Sequence, residues 1–105
     1  LTATGSVPTY NPSGISTISV DPSVIPLGSL VYVDGYGKAI AADTGGAIQG
    51  NIIDVYVNSN SDAINWGRQY NVPVYIIAYP GAWYEKKMVK DHLFLMMNYE
   101  LRIMN

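Results

Sequence analysis

Three aspartates carry most of the chemistry this sequence offers. Asp54 interrupts Ile52-Ile53-Asp54-Val55-Tyr56-Val57, a run apolar at every other position. A carboxylate in such a strand is costly unless it is hydrogen-bonded or faces a cleft. Desolvation would raise its pKa, which is what a general acid near neutral pH requires. Asp43 opens Asp43-Thr44-Gly45-Gly46, where two glycines let backbone amides come close to a ligand or to another carboxylate. Asp21 precedes Pro22 in Ser19-Val20-Asp21-Pro22-Ser23. Each has a plainer reading as well. Asp before Pro, and Asp before Thr-Gly, are common turn and capping choices, and a strand Asp can accept backbone hydrogen bonds. Other chemistry is thinly represented. The chain has one His, no Cys and no Asp, Glu and His cluster at metal-ligand spacing, so neither metal nor cofactor is expected. No glycine-rich loop has phosphate-binding spacing. His92 lies far from the three aspartates in sequence and reads as incidental. Residue chemistry alone reaches a small acidic β-barrel with carboxylate-dependent hydrolysis as one reading.

The elements that must hold these aspartates are short strands. Ile15–Val20 alternates and is β-branched, and Leu30–Val33 is a compact apolar strand. Asp34-Gly35 and Tyr36-Gly37 suggest a hairpin turn into a return strand over Lys38–Ala42. Ile52–Val57 is the clearest strand, and Val72–Ala78 is another. Between them Ser61–Tyr70 carries helix signals, with Ser61 or Asp62 as cap and Ala63, Ile64 and Trp66 on one apolar side. This pattern predicts a mainly β barrel with one short helix, not a βαβ fold. Pro80-Gly81 is a turn dipeptide and marks an expected boundary between residues 1–80 and a tail over 81–105. In the tail, Trp83–Leu95 reads as a helix and Tyr99–Ile103 as a strand, while pattern leaves Leu93–Met97 open between the two.

Composition narrows the class. At 105 residues there is room for one domain. Hydrophobic residues make up 49% and charged residues 13%, which excludes disorder for most of the chain. The net charge of −2 argues against a nucleic-acid partner bound through its phosphates. The charge is uneven: residues 1–80 set Lys38 and Arg68 against five Asp, whereas the tail holds four basic and three acidic side chains. No apolar run approaches the ~20 residues that span a bilayer. The chain opens at Leu1 without a signal peptide, so any targeting segment or anchor is expected upstream.

Four segments, in order, resemble the 3D domain, a family named for three aspartates. Ile18-Ser19-Val20-Asp21-Pro22-Ser23-Val24-Ile25-Pro26-Leu27-Gly28-Ser29 resembles its "AVDPxxIPLGS" segment. Ala41-Ala42-Asp43-Thr44-Gly45-Gly46-Ala47-Ile48-Gln49-Gly50 resembles "AxDTGGAIKG", and Ile52–Val57 resembles "xIDVYF". Ala63-Ile64-Asn65-Trp66-Gly67-Arg68 and Val72-Pro73-Val74-Tyr75-Ile76 resemble the closing "AxxWGRxxVxVYI". The likeness runs from Thr2 to Ala78, about three quarters of the chain. It implies a six-stranded double-psi β-barrel, akin to the catalytic barrel of membrane-bound lytic transglycosylase A and to the barwin and endoglucanase barrels. It also implies an extracytoplasmic, secreted or wall-associated enzyme acting on peptidoglycan glycan strands. Such enzymes cleave the β-1,4 bond between N-acetylmuramic acid and N-acetylglucosamine and leave a 1,6-anhydromuramic end. One carboxyl group does this as general acid and then general base, where ordinary glycosidases divide the work between two. The motif match gives that role to Asp54. Asp43 is second choice, or else shapes the proton affinity of Asp54. Asp21 completes the acidic cluster or fixes the loop, Thr44, Gly45 and Gly46 line the cleft, and Trp66 borders it or packs behind it.

The sequence departs from the family at both ends. Thr2-Ala3-Thr4-Gly5-Ser6-Val7-Pro8 resembles the family's second segment, so the usual first strand is missing. The exposed edge would need cover from the tail, from upstream residues or from a second subunit by strand exchange, giving a homodimer. The tail resembles nothing in the family, and Met96-Met97 within it suits a dimer contact. Two further functions compete with cleavage: a glycan-binding module of the same fold, and a structural domain whose acidic residues stabilise loops. Retention of all three aspartates favours the enzyme, and the nine Tyr keep the binding module in view.

Overall fold

The computed structural model describes residues 1–80 and 84–100, the latter as backbone together with the Met96 side chain. The elements in chain order are β1 Ser16–Ser19, β2 Leu30–Val33, β3 Gly37–Asp43, β4 Ile52–Val57, α1 Asn60–Trp66, β5 Gln69–Ala78 and β6 Tyr84–Glu100. Six strands form a closed barrel in the order β1-β3-β2-β5-β6-β4. The β1–β3 and β4–β6 pairs are parallel, and the other four are antiparallel. This is the mainly β, double-psi type of small barrel that the motifs imply.

Alternation explains the core. Val31 and Val33, Ala39 and Ala41, Ile53 and Val55, and Val72, Val74 and Ile76 pack with Ile18, Val20, Ile25 and Met96 into one buried cluster. Successive strand side chains point to opposite faces, so each strand gives every second residue to this core. The β2–β3 hairpin turns through Asp34-Gly35, with Gly35 at φ 80° and the Tyr36 amide bonded to the Val33 carbonyl at 3.0 Å. Gly28 carries the one positive φ that the proline-leucine-glycine-serine segment needs. Its φ is 91°, its amide donates to the Ala41 carbonyl at 2.8 Å, and a β-carbon there would stand 3.0 Å from Pro80.

Three expectations are corrected. The helix begins at Asn60, and its cap is Ser59, not Ser61 or Asp62: the Ser59 hydroxyl accepts from the Asp62 amide at 3.0 Å. The tail forms no helix over its described part; Tyr84–Glu100 is one long strand. Open edges on β4 and β5 supply a ladder on both sides of this segment, and sheet pairing overrides local helical pattern. The strand expected over Tyr99–Ile103 is therefore the end of β6, and residues 101–103 lie outside the described residues, as does Trp83. Met96 is fully buried beside Ile53 and Gln69, so it fills the core instead of presenting a dimer surface, and the Met97 side chain lies outside the described residues. The tail closes the barrel within the chain.

Candidate functional site

The acidic site is built across three neighbouring strands. In the β1–β3 pair Ser19 stands opposite Asp43, and in the β1–β4 pair the same Ser19 stands opposite Asp54. Asp43, Ser19 and Asp54 thus form one row, although the two aspartates come from strands that are not paired with each other. The β1–β3 register shifts between Ile18 and Ser19, skipping Ala42. Such a bulge re-aims the side chains beyond it, and here it brings Asp43 toward the face that Asp54 and Tyr56 share.

Each member of the row is held differently. Asp54 is 1% exposed, flanked on its strand by the fully buried Ile53 and Val55. Asp43 is half-buried at the end of β3. Its Oδ1 accepts from the amides of Ala3 at 3.0 Å and Thr44 at 2.9 Å, and the Tyr56 hydroxyl stands 3.4 Å from its Oδ2. The N-terminal segment is tied down beside it, with the Thr4 amide bonded to the Ala42 carbonyl at 3.0 Å. Ser19 is buried between the two carboxylates.

Asp21 looks elsewhere. Its Oδ1 accepts from the Ser23 amide at 2.9 Å and the Ser23 hydroxyl at 2.7 Å, and its Oδ2 accepts from the Gly50 amide at 2.7 Å. Its own carbonyl receives the amides of Val24 and Ile25. The carboxylate clamps the 21–25 turn to the loop that leads into β4. The Gly50 amide first, then the Ser23 hydroxyl and amide, hold its pKa below the usual carboxylate value. Thr44, Gly45 and Gly46 form an exposed loop directly after Asp43, folded back by the Ile48 amide on the Gly45 carbonyl at 2.9 Å. Trp66 ends α1 and meets the Tyr36 ring edge-on, with centroids 5.8 Å apart. It also lines a cavity of about 310 Å³ with Tyr10, Val57, Asp62, Asn65 and Gln69.

Two tyrosines join the site that sequence reasoning left out. Tyr36 donates from its hydroxyl to the Tyr56 carbonyl at 2.6 Å. Burial above all pushes its phenol up to about 12, and the charge of Asp54 adds to this. Burial also raises the Tyr56 phenol, followed by the charges of Asp43 and then Asp54. Tyr56 was findable, because it stands two residues after Asp54 and so shares its face. Ser19, a polar residue between Ile18 and Val20, gave the same kind of signal. Among the described residues no three His, Cys, Asp or Glu converge to hold a metal ion. No helix among them is long and apolar enough to cross a membrane.

Comparison with known proteins locates this arrangement. The model of the 3D domain family matches residues 16–78, which contain all three aspartates, both strands of the hairpin and α1. The cell wall-binding protein YocH of Bacillus subtilis (strain 168) is 66% identical over 67 residues, 64% of this chain and 23% of its own length. YabE of the same organism, provisionally named a cell wall shaping protein, is 57% identical over 68 residues, 65% of this chain and 16% of its own. YorM, a protein derived from its SPbeta prophage, is 48% identical over 63 residues, 57% of this chain and 26% of its own. The chain thus spans about a quarter or less of the relatives it matches.

Proposed function

The chain belongs to the 3D domain family, and on that premise we propose that it is a peptidoglycan lytic transglycosylase working at the bacterial cell wall, outside the cytoplasm. The observation that carries this reading is the buried Asp54 set in one row with Asp43 across Ser19. In this reading, removal of the Asp54 carboxyl from water favours the protonated form needed in the first step. The Asp54 carboxyl gives its proton to the glycosidic oxygen as the bond from that oxygen to C1 of N-acetylmuramic acid breaks. The resulting carboxylate then takes the proton of the C6 hydroxyl, whose oxygen bonds to C1 and closes the 1,6-anhydro ring. The proton count balances on one side chain, and water is not consumed. Asp43, held by two backbone amides, is the neighbour that tunes Asp54. Asp21 secures the loop, and Thr44, Gly45 and Gly46 border the glycan. Trp66 supports the site from behind Tyr36. In this reading residues 1–80 carry the catalytic surface, and the segment after Pro80 contributes closure.

A second reading has its own support. The relative YocH is named for binding the cell wall, and Tyr32 and Tyr70 are 41% and 68% exposed. Tyrosine faces offered to solvent suit a glycan-binding module without cleavage. Mass spectrometry of soluble products separates the two. Purified peptidoglycan incubated with the chain in chelator is expected to yield anhydro-muropeptides. Asp54→Asn is expected to lower their release at least a hundredfold, the scale of a lost general acid, while sedimentation with sacculi continues. Sedimentation with no products from the unaltered chain would establish the binding module instead. Equal release by folded Asp54→Asn would remove Asp54 from the chemistry.

A further inference from the structure

We propose that the Tyr56 hydroxyl is the positioning group of the acidic row: it holds Oδ2 of Asp43 toward Asp54, while the amides of Ala3 and Thr44 hold Oδ1. The inference deepens the transglycosylase reading and rests on it for its catalytic consequence, although the positioning itself stands on geometry.

Five observations converge on this one phenol. Tyr56 shares a strand face with Asp54, two residues away. Its hydroxyl stands 3.4 Å from Asp43 Oδ2, on the strand beyond Ser19. Both backbone donors to Asp43 are spent on the other oxygen, Oδ1, so Tyr56 is what fixes the rotation of the carboxylate. The Tyr56 backbone is itself anchored by the 2.6 Å bond from Tyr36 to its carbonyl. That bond fixes the strand backbone from which the phenol projects. The charges of Asp43 and Asp54 both act on the phenol. Among the described residues the titratable groups around it are Asp43 from β3, Asp54 from its own strand and Tyr36 from the β2–β3 turn. A separation of 3.4 Å is long for an O–H···O bond. Hydrogen bonds of this kind commonly tighten when substrate fills a site. A phenol that stays protonated is suited to this task, because it can go on donating to the charged Asp43 carboxylate while Asp54 loses and regains its proton.

The test uses the full chain and NMR of carboxyl carbons through a pH titration, with Tyr32→Phe as an exposed-tyrosine control. In Tyr56→Phe the Asp43 carboxylate loses a donor to its charged form. It is expected to bind its proton roughly threefold more tightly, while Asp21 titrates as before. An unmoved Asp43 in folded Tyr56→Phe overturns the proposal. If that variant does not fold, Asp43→Asn supplies the reciprocal measurement. The Tyr56 phenol should then titrate at lower pH, and an unmoved phenol overturns the proposal equally. In the anhydro-muropeptide assay Tyr56→Phe is expected to lower kcat about tenfold with KM near that of the unaltered chain, as for a group acting after binding. An unaltered chain that releases no anhydro product would end the cleavage reading, and the Asp43 titration would still decide whether Tyr56 holds the row.

Discussion

Asp21 and Asp43 are both aspartates at turns, and their partners give them different work. The Asp21 carboxylate is bound to Gly50 and Ser23, which stabilise its charged form and hold its pKa down. A depressed carboxyl contributes stability that is fully present above its unfolded value near 3.9. That stability is lost as pH falls through that value and on through the lower folded one. Thermal melts from pH 6 to pH 2.5 are therefore expected to show Asp21→Asn less stable at pH 6, with the gap to the unaltered chain shrinking below about pH 4. Tyr36 has the opposite sign. Its phenol is raised to about 12 by burial, so the folded chain keeps a proton that an unfolded tyrosine gives up near 10. Its contribution is whole below pH 10 and disappears as pH rises from 10 to about 12. Melts over that range should fall more steeply for the unaltered chain than for Tyr36→Phe. At this scale the sequence was informative about residue types and not about partners. Asp54 stood out because a carboxylate amid Ile52, Ile53, Val55 and Val57 breaks a pattern. Tyr56 did not, because tyrosine in a strand obeys the pattern. The Asp43–Ser19–Asp54 register depends on a bulge at Ala42, which no local signal announces.

Among the elements, those that follow from local rules were readable. β2 and β4 fall on their apolar runs, and the hairpin turns at its Asp-Gly. β6 was hard to read because its conformation is set by its neighbours. Local spacing of Trp83–Leu95 fits a helix, yet a strand there completes hydrogen bonding on β4 and β5 at once. Met96 shows what that strand contributes to the core, standing beside Ile53 on one side and Gln69 on the other with no exposed surface. Met96→Ala is expected to destabilise the fold by about 2–5 kcal/mol, the range for truncating a buried methionine. The shift in the urea midpoint measures it, and a loss below about 0.5 kcal/mol, the scale of an ordinary surface change, would mean that β6 is not packed on this core.

At the scale of the whole molecule, the barrel has no open edge only because β6 stands between β4 and β5. Ending the chain at residue 80 would leave both of those strands with unpaired amides and carbonyls, which is how sheets come to associate. The shortened chain is expected to lose its cooperative thermal transition and to sediment as larger species. A monomeric residue 1–80 fragment with a sharp melt would show that five strands suffice. The same arrangement sets an order in time. β6 is synthesised after all five other strands, yet its place is an interior seam, with Ile52 paired to Leu95 and Gln69 to Met96. Contacts this distant along the chain are slow to form, because loop-closure entropy is lost before the pairing returns it. A newly made chain therefore passes through a stage in which the barrel wall is still open. Completion of the fold waits on a segment that carries none of the three aspartates.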